Sequence, residues 1–167
     1  MDAKMDHGPI LAQETLTITP DETTSSLEDR TGRIGIPLLI KVLNEWFEGT
    51  ITPQAQTHNL ATYTQMLNKE SGKIDWAKNA QEIDAMVRAL NPWPGTWTEW
   101  HGKRIKILRT QITQPSPQEQ KSTDTFFTID DCLFASCGNG EYLEILELQP
   151  EGKNAMSGAS FIHGYLV

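Results

Sequence analysis

Positive charge is scarce in this sequence. Its 167 residues hold 14 Lys and Arg against 22 Asp and Glu, a formal net charge of −8. That balance argues against a protein that binds nucleic acid over its whole surface, because phosphates are neutralised by Lys and Arg. It leaves room for a local basic patch. Long apolar runs are missing as well. None approaches the roughly 20 residues that span a bilayer, and no basic-then-apolar secretion signal opens the chain. The expected compartment is the cytoplasm, with no membrane contact. Only two cysteines are present, Cys132 and Cys137. They fall five apart in one predicted strand, Phe126 to Ser136 with its flank, and an odd spacing sends them to opposite faces. A disulfide between them, or a paired-cysteine metal or redox site, is therefore not expected. No glycine-rich phosphate loop, zinc motif or catalytic triad pattern occurs. No internal repeat is visible. What remains, 38% hydrophobic and 22% charged, suits a soluble globular protein of one ordinary domain or two small ones.

The chain is organised around Lys73 to Arg109. Asn79 can cap a helix, its side-chain oxygen accepting from a free backbone N–H. Ile83, Met86, Val87 and Leu90 then recur with helical spacing as one apolar stripe, and Asp84 and Arg88 form an acid-before-base pair on its flank. Asn91-Pro92 stops the helix, and Pro94-Gly95 makes a tight turn. Thr96 to Trp100 and Arg104 to Ile112 read as strands joined by His101-Gly102. On the second strand Ile105 and Ile107 share one face, Arg104 and Lys106 the other.

Upstream, Ile10 to Ile18 reads as a strand. Thr23 or Thr24 can cap a helix with Leu27, Ile34, Leu38, Val42 and Trp46 on its apolar face. Gly32, Gly35 and Pro37 predict a kink or break near residues 35–37, and Gly49 ends the helix. The following connector holds too many apolar residues (Leu60, Tyr63, Met66, Leu67, Ile74, Trp76) for a free linker, so it is expected to lie on a surface. Downstream, the Pro-, Gln- and Ser-rich residues 113–124 read as a loop. Phe126 to Ser136 and Tyr142 to Gln149 read as strands joined by Gly138-Asn139-Gly140. Ser157 to Tyr165 reads as a short terminal helix. Trp93, Trp97 and Trp100 read as packing residues rather than base-stacking platforms.

Several stretches carry a resemblance: LNPWPGTW preceded by GKIDWAKNAQEIDAMVRA, LATYTQMLNKESGKIDW at 60–76, LEILELQPEGKNAMSGASFIHG at 143–164, and MDAKMDHGPILAQ at 1–13. In this order they resemble the C-terminal part of methionyl-tRNA formyltransferases, over nearly the whole chain. The resemblance implies an α+β chain: the tail of a Rossmann-like α/β formyltransferase domain (residues 1–50), a connector (51–72), and a small OB-like β-barrel domain (73–167). It implies formyl transfer from 10-formyltetrahydrofolate to the amino group of initiator methionyl-tRNA, by a monomer without a metal. Asp6 matches a catalytic Asp that pairs with a His in the family. The backbone of Ala3, Lys4 and Met5 matches the loop that holds the pterin ring. The family's Asn and His have no counterpart here, and Met1 falls where the family has an internal methionine. These residues by themselves are thus expected to be inactive.

The resemblance places the strand with Lys103, Arg104, Lys106 and Arg109 in the domain that contacts the tRNA acceptor arm, which makes these four the tRNA-binding candidates. A strand face whose charges only discourage edge pairing stays open beside that reading. The family's P-G-x-V type strand is replaced here by FFTIDDCLFASCGNG, so the barrel is expected to be irregular at that edge. A tRNA-binding module without chemistry and a sugar-nucleotide N-formyltransferase are the competing functions.

Overall fold

The computed structural model describes residues 5–113 and 125–166, which leaves most of the Pro-Gln-Ser stretch outside the described residues. The chain divides into two units, Met1–Met66 and Leu67–Val167.

In the first unit the dominant element is α1, Thr24–Phe47. Thr23 caps it: its side chain accepts from the Ser26 amide, while the Ser26 hydroxyl accepts from the Thr23 amide. Gly49 ends it with φ +68, a conformation that favours glycine. The expected break at residues 35–37 does not occur, and the helix runs through Pro37. Proline removes one internal bond, but α1 has no buried residue, so water can reach the carbonyl left free. The expected strand Ile10 to Ile18 is not formed either. Ile10 alone pairs with Gln54, through two bonds of 2.8 Å. An extended segment becomes a strand only where a neighbour supplies a ladder, and residues 11–18 have no such ladder. The connector holds two short 3-10 turns, His58–Leu60 and Lys69–Gly72. It does not pack as expected throughout. Leu60, Tyr63 and Met66 are 75–91% exposed, whereas Ile74 is buried and Trp76 packs on the second unit's core.

The second unit joins helices to an antiparallel sheet. Helix α2, Ala80–Leu90, is capped by Asn79 and buries Ile83 and Val87. Asp84 is more than a flank residue: it is buried, and takes Arg88 Nε at 2.9 Å and Thr110 Oγ1 at 2.8 Å. Strands β1 (Thr96–Trp100) and β2 (Lys103–Ile112) form the expected hairpin. His101 and Gly102 both have positive φ, as its two-residue turn requires. The stretch Phe126 to Ser136 is two strands, not one: β3 (Phe126–Ile129) and β4 (Cys132–Ser136). Asp130-Asp131, both left-handed, turn between them. Asp accepts that region better than most residues because its short side chain can bond locally. Cys137 lies just past β4, and both cysteines are free.

Strand β5, Tyr142–Pro150, lies between β2 and β4 and also pairs with the two-residue β6, Met156–Ser157. The sheet order is β1-β2-β5-β4-β3. Its end strands, β1 and β3, are not paired with each other among the described residues. Register shifts near Arg109 change the phase of β5, whose inward residues run Leu143, Ile145 and then Leu148. Ser157 caps a last helical turn, α3 (Gly158–Phe161), which continues as a π-type turn through Leu166. The core gathers Ile83, Val87, Ile105, Ile107, Leu133, Leu143, Ile145, Leu148 and Phe161. No helix among the described residues is long and apolar enough to cross a membrane.

Candidate functional site

Of the four residues matched to the catalytic and pterin-binding loop, Ala3 and Lys4 lie outside the described residues. Met5 is 87% exposed. Asp6 is exposed, with φ 59. Its loop is held from one short segment about fifty residues further on. The Gln56 side-chain amide donates to the carbonyls of Asp6 at 2.9 Å and Gly8 at 2.6 Å. The His7 ring stacks on His58, centroids 4.6 Å apart. The Ile10–Gln54 pair closes the set. These contacts fix the backbone and leave the Asp6 carboxylate at the surface.

Gln56 and His58 carried no signal in the sequence, since their role depends on a pairing between distant segments. Replacing Gln56 by Ala removes both bonds to the loop. At about 1 kcal/mol per bond, exchange of the Ile10 amide should rise about tenfold or more. An unchanged exchange rate in Q56A would show that the loop is held without Gln56.

The four basic candidates stand on β2. Arg104 and Lys106 point outward together while Ile105 and Ile107 are buried, as the alternation requires. Arg104 lies over the Trp97 ring, 3.7 Å from its centroid, and 3.8 Å from Glu70. Lys73 Nζ also reaches over that ring at 5.3 Å. Lys103 sits at the hairpin end opposite Trp100, and Arg109 opposite Glu147. The structure thus brings Arg104 and Lys106 together, with a cavity of about 250 Å³ beside them that Gln149 to Gly152 complete. It sets Arg109 against Glu147 and Arg104 against Glu99, and each acid weakens the arginine it faces as an anion ligand. Of the tryptophans, Trp97 is buried and Trp100 packs edge-on to Phe161. Trp93 differs from expectation, at 62% exposed. It sits between two prolines in the turn after α2, where the chain has left the helix and its ring meets no core.

Both thiols are shifted toward the protonated form. Burial and Glu141 push Cys137 up to about 12, and desolvation and Glu144 raise Cys132. No group of three or more metal-ligating side chains occurs among the described residues.

The profile of a family described as "Formyl transferase, C-terminal domain" matches residues 66–166. The chain belongs to this formyltransferase family. A methionyl-tRNA formyltransferase of Roseiflexus sp. (strain RS-1) is 38% identical over 98% of this chain and 50% of its own length. One from Lachnospira eligens is 38% identical over 98% of this chain and 53% of its own. The chain therefore spans about half the length of the curated relatives it matches. Among solved structures, HypX from Aquifex aeolicus in complex with tetrahydrofolic acid is similar with a TM-score of 0.69. That match covers 99% of this chain and 29% of HypX at 15% identity. An N-formyltransferase from Helicobacter canadensis gives a TM-score of 0.64 at 19% identity, over 90% of this chain and 53% of its own. These two likenesses concern the fold.

Proposed function

We propose that this chain is part of a methionyl-tRNA formyltransferase and that its second unit contacts the tRNA. In the reaction, the methionyl amine attacks the formyl carbon of 10-formyltetrahydrofolate. The amine gives up a proton, and the released folate nitrogen takes one. Asp6 would sit in the catalytic loop as partner of a His, and the backbone of Ala3, Lys4 and Met5 would hold the pterin ring. No metal takes part, and the protein acts as a monomer in the cytoplasm. On this reading, residues 1–50 are the end of a Rossmann-like domain, 51–72 a connector, and 73–167 an OB-like barrel whose strands curl through the shifts near Arg109.

Two kinds of observation support the reading. Relatives at 35–38% identity over 98% of the chain are named methionyl-tRNA formyltransferases. The observation that carries the tRNA contact is the pair Arg104 and Lys106, exposed side by side on a strand whose other face is core. Phosphate contacts of this kind orient a nucleic acid without reading its sequence. The folate co-substrate is favoured by the family and by the tetrahydrofolate bound to HypX.

The test is a filter-binding titration of the whole chain with methionyl initiator tRNA. Two to three phosphate contacts predict affinity about tenfold or more weaker at about 200 mM than at about 50 mM salt. The chain should bind other tRNAs similarly through this unit, and a nucleotide-linked amino sugar should not compete. Competition by the sugar nucleotide would favour the sugar N-formyltransferase reading, and no tRNA binding at either salt would contradict the tRNA contact.

A further inference from the structure

We infer that the cavity beside Arg104 and Lys106 is a phosphodiester-binding subsite and that Trp97 is the residue that positions Arg104 for it. The inference rests on the tRNA reading above and adds the group bound and the device that holds its ligand. The indole is fixed first: Trp97 is 5% exposed, and its Nε1–H donates to the Lys69 carbonyl at 2.9 Å. Arg104 then lies 3.7 Å from the ring centroid. A guanidinium held over an indole gains cation–π attraction and loses rotamer freedom before any ligand arrives. Its N–H edge stays available, and that fork matches two oxygens of one phosphate.

The cavity wall is tied to the same strand. The Glu151 amide donates to the Arg104 carbonyl at 3.0 Å. Beyond it Gln149 Nε2 donates to the Lys153 carbonyl at 2.8 Å, and the Lys153 amide donates to that of Pro150 at 3.1 Å. Gly152, at φ +72, makes this turn possible. Three acids oppose an anion here: Glu151 in the lining, Glu70 at 3.8 Å from Arg104, and Glu99, which stands opposite Arg104 on β1. The Glu70 contact is long and its side chain is 71% exposed, so an arriving phosphate displaces it at little cost.

Arg104→Lys separates this subsite from a charge effect. Lysine keeps the charge but loses the planar fork and the flat stack. The isotope-labelled 167-residue chain is titrated with inorganic phosphate by NMR and with tRNA by filter binding, with circular dichroism as the folding control. In the wild type, phosphate should shift the Arg104 Nε–H and Trp97 Nε1–H signals. R104K should lose the indole shift and bind tRNA about tenfold more weakly, with unchanged dichroism. W97F, which keeps a ring, should fall between wild type and W97L. Should W97L fail to fold, R104K still decides. R104K binding as well as wild type would overturn the subsite, and so would the absence of any phosphate-induced shift, even if tRNA binds elsewhere. Phosphate-induced shifts without tRNA binding would uphold the Trp97-positioned phosphate subsite, overturn a phosphodiester as its ligand, and contradict the tRNA reading.

Discussion

Phe161→Ala should unfold the second unit more readily than any surface change, at a cost of about 3–5 kcal/mol. Phe161 is 0% exposed. It meets the Trp100 ring edge-on at 5.2 Å and stacks on Tyr165 at 4.8 Å. The helix that carries it is only four residues long, too short to hold itself together by its own hydrogen bonds. It is docked instead by packing, and closely. A Cβ added to Gly158 would fall 2.3 Å from the Ile145 carbonyl oxygen. Removing the ring therefore leaves a cavity and also releases the last turn of the chain. Phe127→Ala is the control, since Phe127 is half-buried and stacks on Phe134 outside the main cluster. Denaturant titration should show a midpoint drop for F161A several times that of F127A. Equal drops would mean that the terminal turn does not brace the sheet.

The second unit was largely legible because its signals are local. Asn79, the stripe of Ile83 and Val87, the Asn91-Pro92 stop and the His101-Gly102 turn each act within a few residues, and each stands where its chemistry puts it. The Asp130-Asp131 turn was missed because two acids between apolar residues look like a strand's polar face. Its left-handed φ values are visible only in the backbone. Strand β6 is two residues long and depends wholly on β5 for its pairing. In the first unit Ile10 to Ile18 has strand composition, but composition cannot supply a partner. At the site, the outward pairing of Arg104 and Lys106 follows from alternation alone. The Arg104–Trp97 stack and the Gln56 hold on the Asp6 loop join residues that no short-range pattern connects.

Chymotrypsin should remove the first unit well before it degrades the second. Helix α1 buries none of its 24 residues. Ile36, Ile40, Leu43 and Phe47 recur along it with helical spacing and are 45–83% exposed. Packing of α1 is confined to half-buried positions such as Leu38 and Val42 beside Ile10 to Ala12. An apolar stripe left exposed on the other face adds nothing to that, so the helix is held more weakly than the second unit's core. Phe47 and Tyr63, at 83% and 82% exposed, offer cleavage sites. In the second unit most aromatic side chains are held in the core or in ring pairs. Opening there requires cooperative unfolding, so a fragment beginning near residue 67 should outlast the intact chain by about tenfold or more in time. Equal survival of residues 1–66 would show that α1 is braced by contacts its exposure does not reveal.

The claim at the centre of this account is that the second unit of a formyltransferase chain contacts tRNA through the outward row of β2. The most direct measurement is the salt dependence of tRNA binding by wild type and by the Arg104→Ala, Lys106→Ala double variant. Both positions are exposed, so the fold should survive their loss, with the melting midpoint lowered only by the lost Arg104–Trp97 stack, on the order of 1 kcal/mol. Each phosphate contact contributes about one unit to the slope of log affinity against log salt. The account predicts weaker binding at about 50 mM salt and a slope reduced by about two units in the double variant. An unchanged affinity and slope would contradict it, and would leave the basic row as a guard on a strand.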